Sequence, residues 1–242
     1  MIEIKNKKIK IFTDGANLDA ISNLSKDPLI DGITTNPTLM KKSGVTNYLS
    51  FTRAAFNFSR GKSLSIEVLS NSKSEMIKEA EILSSLGSSI YVKIPILNSH
   101  GESSKDVIST LSNKKINLNI TAVLSKEQID ICYDCLHINS TAYISIFAGR
   151  IADTGRDPIP FMKYAVEKFS KHKNVEILWA STREVLNIYQ AAECDTDIVT
   201  ITPEIFKKIH LRNYNLEKLS LETVQMFYSD SIIANFHIIP KD

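Results

Sequence analysis

The sequence predicts a single (β/α)8 barrel, and three observations lead there. Eight short segments rich in Ile, Val and Leu alternate with amphipathic segments along almost the whole chain. The strand segments carry apolar residues on both faces, as strands of a parallel sheet covered by helices do. The length, 242 residues, suits one barrel-sized domain over residues 1–242 with an additional C-terminal helix. A doubly wound open sheet is the alternative. However, no Gly-x-Gly-x-x-Gly follows the first strand and no Walker A sequence occurs, so nucleotide-binding readings lack support.

The elements follow in order. Lys8 to Thr13 reads as the first strand and residues 18–24 as a helix; Ile30 to Thr35 is the second strand, ending at Asn36-Pro37. A helix over residues 47–59 leads to the third strand, Ser63 to Leu69. Ser72 to Leu86 places Met76, Ala80, Leu83 and Leu86 on one stripe, with Ser72 as N-cap, Glu75 at N3 and Gly87 as the stop. Ser89 to Pro95 is the fourth strand, closed by Pro95. A helix over 104–113, a fifth strand over 116–123 and a helix capped by Ser125 come next. Ala142 to Phe147 is the sixth strand, followed by a polar loop over 150–157 and a helix with Met162, Ala165, Val166 and Phe169 on its core side. Val175 to Ala180 is the seventh strand; its helix carries Val185, Ile188, Tyr189 and Ala192 on one face. Asp197 to Ile201 is the eighth, Pro203 opens a short helix, and a helical tail covers about 216–234.

Composition excludes several function classes. Apolar and charged fractions are those of an ordinary globular protein, and a net charge of +2 gives no reason to expect nucleic acid or a membrane surface as partner. No long apolar run follows Lys10, so no signal peptide is expected, and no stretch approaches the ~18 apolar residues of a membrane span. A cytoplasmic enzyme is the default expectation. Cys132 and Cys135 form a lone Cys-x-x-Cys pair on adjacent helical turns, and the five histidines show no ligand spacing, so neither a metal nor another cofactor is expected.

The candidate site starts from Lys93, in the middle of the apolar fourth strand. Burying a cation costs several kcal/mol unless it is paired or neutralised, so either a carboxylate partners it or desolvation makes it a nucleophile for a carbonyl. Period-two alternation then gives each strand an outer and an inner face. Asp14, Asn36, Glu67, Lys93, Asn119, Thr121, Ser145 and Ser181 all fall on the inner side near strand C-terminal ends, where barrels build active sites. In the seventh strand this assignment sets Leu178 and Ala180 outward and Trp179 and Ser181 inward. A lysine, two carboxylates and several neutral hydrogen-bonding groups, without a His/carboxylate cluster, imply carbonyl activation through an iminium ion on a polyhydroxylated substrate. Arg150 and Arg183, just past two strand ends, suggest phosphate recognition.

These residues also resemble a known family. Residues 32–39, Gly-Ile-Thr-Thr-Asn-Pro-Thr-Leu, resemble the N-terminal signature of transaldolases, and residues 91–95, Tyr-Val-Lys-Ile-Pro, their Schiff-base segment. Asn119-Ile120-Thr121 with Ser125, the run Ser145 to Ile151, and residues 180–183, Ala-Ser-Thr-Arg, match in the family's order. The resemblance implies a transaldolase-type class I aldolase that transfers a dihydroxyacetone unit from sedoheptulose 7-phosphate to glyceraldehyde 3-phosphate in the pentose phosphate pathway. By similarity, Lys93 forms the Schiff base and Asp14 exchanges the proton of C–C cleavage. Glu67 with Thr121 relays protons through a water. Asn36, Asn119 and Ser145 hold the dihydroxyacetone hydroxyls, and Arg150, Ser181 and Arg183 hold phosphate. Transaldolases carry a Glu and a Phe where related fructose-6-phosphate aldolases carry Gln and Tyr; Glu67 and Phe147 favour transfer. Gly15, Ile146 and Thr182 depart from the family's usual Thr, Pro and Phe and bear on acceptor preference. An aldolase acting on fructose 6-phosphate or a modified sugar, and a catalytically silent sugar-phosphate binder, are the other readings. The tail from Leu216 is long enough to cover either a neighbouring subunit or its own barrel mouth, which leaves a homo-oligomer open.

Overall fold

A computed structural model describes residues 2–4 and 7–239 of the chain. Contacts divide it into two units, Met1–Phe206 and Lys207–Asp242. In the first unit the elements run β1 (Ile2–Ile4), β2 (Lys7–Asp14), α1 (Leu18–Leu24), β3 (Ile30–Thr34), α2 (Pro37–Lys42), α3 (Tyr48–Phe58), β4 (Ser63–Glu67), α4 (Lys73–Ser84) and β5 (Ile90–Pro95). They continue with α5 (Lys105–Asn113), β6 (Leu118–Val123), α6 (Lys126–Cys135), β7 (Ala142–Ile146), α7 (Ala148–Asp153), α8 (Ile159–Lys168), β8 (Val175–Trp179), α9 (Leu186–Glu193), β9 (Ile198–Ile201) and α10 (Pro203–Lys207). Strands β2 to β9 pair in sequence order, all parallel, and β2 pairs β9 to close the ring, which makes a (β/α)8 barrel. Strand β1 is an addition to that plan; it pairs antiparallel with β2.

The local chemistry of each boundary explains why the chain folds this way. Ser72 caps α4 by accepting from the Glu75 backbone N–H, and Ser125 with Gln128 makes a full capping box on α6. Asn36 caps α2 through a 3.0 Å bond from the Leu39 N–H, with Pro37 at the first helical position. Pro37 reads from sequence as a strand end, yet Asn-Pro is equally a helix start, because the missing proline N–H is not needed there, and α2 begins at Pro37. The polar stretch after the sixth predicted strand reads as loop from residue 150, yet residues 148–153 form α7. Gly87 does not end α4: Ser85 caps it, and Gly87 instead clears the Phe56 ring, which an added Cβ would meet at 2.0 Å.

Inside the ring, Phe12, Tyr143, Leu178, Ala180 and Ile198 form a buried cluster, with Tyr91 and Phe147 packed against it. Tyr91 stacks on Tyr143 at 3.9 Å, and Phe12 meets Tyr143 edge-on at 5.5 Å. This layer plugs the barrel beneath the polar strand ends. It also corrects the phase of the seventh predicted strand. Leu178 pairs in register with inward Ser145, and with Ile198, so Leu178 and Ala180 point inward and Trp179 points outward. Placing Ser181 inward puts Trp179 inward by alternation, but the strand stops at Trp179 and Ser181 has φ +62°, which breaks the period.

The second unit contains a short 3-10 turn, Ile209–Leu211, and α11 (Leu216–Ile233), capped by Asn215 accepting from the Lys218 N–H. Leu216, Val224, Phe227, Tyr228 and Ile232 are exposed on it. No helix among the described residues is long and apolar enough to cross a membrane.

Candidate active site

Lys93 lies on β5, 5% exposed, opposite Glu67 of β4 in the strand register. Its Nζ is 3.0 Å from Glu67 Oε2 and donates a 2.6 Å hydrogen bond to the Thr35 carbonyl. The sequence left two fates for this cation, pairing or neutralisation. Here it is paired, inside the barrel, by a carboxylate that is itself largely buried. Such a pair is tolerable because each charge is the other's compensation and the ammonium has a further acceptor. The loop that ends β4 is held in turn: Tyr48 donates its hydroxyl to the Glu67 carbonyl, and Glu79 accepts from the Leu69 and Ser70 N–H groups at 2.7 and 3.0 Å.

Asp14, the last residue of β2, accepts a 2.8 Å bond from the Thr34 hydroxyl at Oδ1. Burial pushes its carboxyl above the ordinary range; the Lys93 charge and the Thr34 bond oppose that shift, and the Glu67 charge adds to it. Across the barrel, Ser145 donates to Asn119 Oδ1 at 2.6 Å while Asn119 Nδ2 donates to Ser65 Oγ at 3.0 Å. Thr121 Oγ1 is buried and has no hydrogen-bond partner among the described residues. Ala122, next to it, has φ +57° where the β6–β7 register shifts, a bulge that re-aims the strand end. Glu67, Lys93, Asn119 and Ser145 are thus inward groups on the consecutive strands β4 to β7, with Asp14 inward on β2, as alternation indicated. Asn36 is partly committed to capping α2 through its oxygen.

Arg150 and Arg183 follow the ends of β7 and β8. Arg150, on α7, is exposed with its guanidinium 5.9 Å from the centre of the half-buried Phe147 ring. Arg183 donates to Asp153 through Nε at 3.3 Å and Nη2 at 2.5 Å. The Arg183 bond pulls the Asp153 carboxyl below its usual range, with Arg150 contributing. Asp153 therefore serves both arginines, and nothing in the sequence pattern singled it out. Thr34, Thr35 and Ser65, which bond to Asp14, Lys93 and Asn119, are not singled out by the pattern either. Thr34 shares the inner face of its strand with Asn36, so alternation contained that signal; Thr35 acts through its backbone, which no side-chain pattern can reveal. At the other end of helix α6, burial raises both cysteines, Cys132 well above the usual thiol range and Cys135 to about 11, which disfavours thiolate chemistry.

Gly149 holds the two arginine loops together. A Cβ there would lie 1.7 Å from the Ser181 carbonyl oxygen, so only glycine lets α7 approach the turn after β8. Gly149→Ala should destabilise the fold by roughly 1–3 kcal/mol through forced backbone displacement. Thermal melting checks this; an unchanged midpoint would mean the turn moves freely.

Three comparisons bear on this geometry. The family model described as Transaldolase/Fructose-6-phosphate aldolase matches residues 11–236. The chain is 32% identical over 216 residues to a "Probable transaldolase" of Nitrosopumilus maritimus, covering 88% of this chain and 92% of that protein. It is 34% identical over 218 residues to one from Phocaeicola vulgatus, covering 88% and 95%. Among solved structures it is similar to KGPDC from Streptococcus mutans, with TM-score 0.56, 9% identity and 83% and 91% coverage. It is also similar to orotidine 5'-monophosphate decarboxylase from Metallosphaera sedula, with TM-score 0.52, 10% identity and 83% and 91% coverage. At those identities the two structures speak for the barrel alone.

Proposed function

We propose a function on one premise: the chain belongs to the transaldolase/fructose-6-phosphate aldolase family, and is therefore a transaldolase-type aldolase enzyme. Its reaction, in our reading, is transfer of a three-carbon dihydroxyacetone unit between sugar phosphates through an imine on Lys93. The observation that carries this is the placement of Lys93 Nζ inside the barrel, 3.0 Å from Glu67, with its charge acting on Asp14.

The steps follow from those positions. Glu67, 3.0 Å away, takes a proton from the Lys93 ammonium, which frees the nitrogen pair to attack the ketose carbonyl at C2. The carbinolamine loses its hydroxyl as water, using the proton relayed from Glu67, and becomes the iminium. Thr121, whose buried hydroxyl has no partner among the described residues, suits a relay through water. The Asp14 carboxylate then takes the proton of the C4 hydroxyl. The C3–C4 bond breaks, its electrons move into the iminium to give an enamine, and the shortened aldose phosphate leaves. An incoming aldehyde such as glyceraldehyde 3-phosphate reverses the sequence, and hydrolysis returns Lys93. Asn119 and Ser145 present a joined donor–acceptor pair to the dihydroxyacetone hydroxyls, with Asn36 at the rim. Arg150, Ser181 and Arg183 are the phosphate end; a dianion arriving there competes with Asp153 for Arg183.

Assays with sedoheptulose 7-phosphate or fructose 6-phosphate, with and without an aldehyde acceptor, test the reading. Transfer should exceed release of free dihydroxyacetone by at least about tenfold, an energy difference of ~1.4 kcal/mol between competing barriers. Release from fructose 6-phosphate alone at the transfer rate would assign an aldolase instead; no turnover but measurable binding would assign a silent sugar-phosphate binder.

A further inference from the structure

Thr200, an inward residue of β9, has no part in the chemistry above, yet it completes a buried chain of hydroxyls that ends on Asp14. Thr200 is 4% exposed and its Oγ1 lies 2.6 Å from Thr34 Oγ1; Thr34 Oγ1 lies 2.8 Å from Asp14 Oδ1. Each hydroxyl has one proton, and a carboxylate only accepts. Thr34 must therefore spend its proton on Asp14, and Thr200 must donate to Thr34. The direction of the chain is fixed by the ionised state of Asp14. Placing a proton on Oδ1 would force Thr34 to turn its own proton away from Asp14, against the bond it receives from Thr200, whereas a proton on Oδ2 leaves the chain as it stands. Thr200 is itself braced, because the buried Thr182 hydroxyl donates to the Thr200 carbonyl at 2.9 Å. Thr182 is one of the positions that depart from the family pattern.

We propose that Thr200 is a positioning residue for proton transfer: acting through Thr34, it holds Asp14 Oδ1 as an acceptor and reserves Oδ2 for the proton of the reacting hydroxyl. The inference rests on the assignment of Asp14 as the proton acceptor. The charged groups that act on Asp14 are Lys93 from β5 and Glu67 from β4, while β3 and β9 present the neutral Thr34 and Thr200. Two hydroxyls in series strengthen the bond to the charged form, because each polarises the next. Removing Thr200 Oγ therefore weakens the support of the carboxylate specifically, without touching Lys93.

Thr200→Val keeps the shape and deletes the hydroxyl. It should lower kcat roughly threefold to tenfold, the worth of one net hydrogen bond, with little change in KM. The acid limb of the kcat–pH profile should move to higher pH, and Thr200→Ser should restore both. Borohydride trapping of the ketose phosphate on Lys93 should proceed as in the wild type. A Val variant with the wild-type profile, or a loss of rate with an unmoved profile that Ser fails to rescue, overturns the proposal. If Val does not fold, Thr200→Ala carries the same comparison. Absence of trapping in the wild type itself would overturn the imine reading and Thr200's role with it; normal wild-type trapping and turnover beside an inert substitution would overturn the role alone.

Discussion

Lys93→Met should abolish turnover, lowering kcat on the order of 10⁴-fold or more, because the covalent path needs a nucleophile that methionine cannot supply. Borohydride reduction in the presence of a ketose phosphate should add the sugar's mass to Lys93 in the wild type and nothing to the variant. An adduct on another lysine, or a variant retaining more than about one part in a hundred of its rate, would remove Lys93 from the centre of the mechanism. The fold needs its own control. Lys93 compensates Glu67 at 3.0 Å, and taking away one partner of a buried pair is costlier than taking away both. Methionine fills the volume, and Glu67 can protonate, but some loss of stability is expected. Lys93→Met combined with Glu67→Gln removes both charges and should melt closer to the wild type than the single variant does. Inactivity with a sound fold is then chemistry, not collapse.

How much of this could be read from residues alone depends on what kind of physics sets each feature. Alternation located Asp14, Glu67, Lys93, Asn119 and Ser145 because they lie within strands, where the pleat enforces period two. It failed at Ser181, where a left-handed residue sits beyond the strand end, and that failure carried back through Trp179 to the whole of β8. The helix α7 was hidden because six residues give too little periodicity, and α2 because Pro37 reads equally as an end and a beginning. Asp153 and Thr200 were beyond reach for another reason. Their roles come from contacts thirty and one hundred and sixty-six residues away in sequence, the first made by the pairing of β7 with β8 and the second by ring closure. A barrel makes its first and last strands neighbours, so a hydroxyl on β9 can support a carboxylate on β2 by way of β3.

Asp14→Asn should separate imine formation from C–C cleavage. The amide keeps the shape and can still accept from Thr34, but it cannot take the proton of the reacting hydroxyl, so kcat should fall by about 10²- to 10⁴-fold. Lys93 and Glu67 are untouched, so the borohydride-trapped adduct should still form and, with cleavage blocked, should accumulate with the intact ketose. Stability should change in the opposite direction from activity. Burial raises the Asp14 carboxyl in the folded protein above its unfolded value. The folded state then holds a proton that the unfolded state has released, so stability falls as pH rises from the unfolded value through the folded one. Above that window the wild type carries the cost of ionising Asp14 where its surroundings disfavour the charge, which the Asn variant avoids. The variant should therefore melt higher than the wild type at neutral pH, and the gap should close as the pH is lowered towards the unfolded carboxylate range. Equal melting at neutral pH would mean that Lys93 and Thr34 fully offset the burial of Asp14, and retention of more than about a tenth of kcat would move the proton transfer to another group.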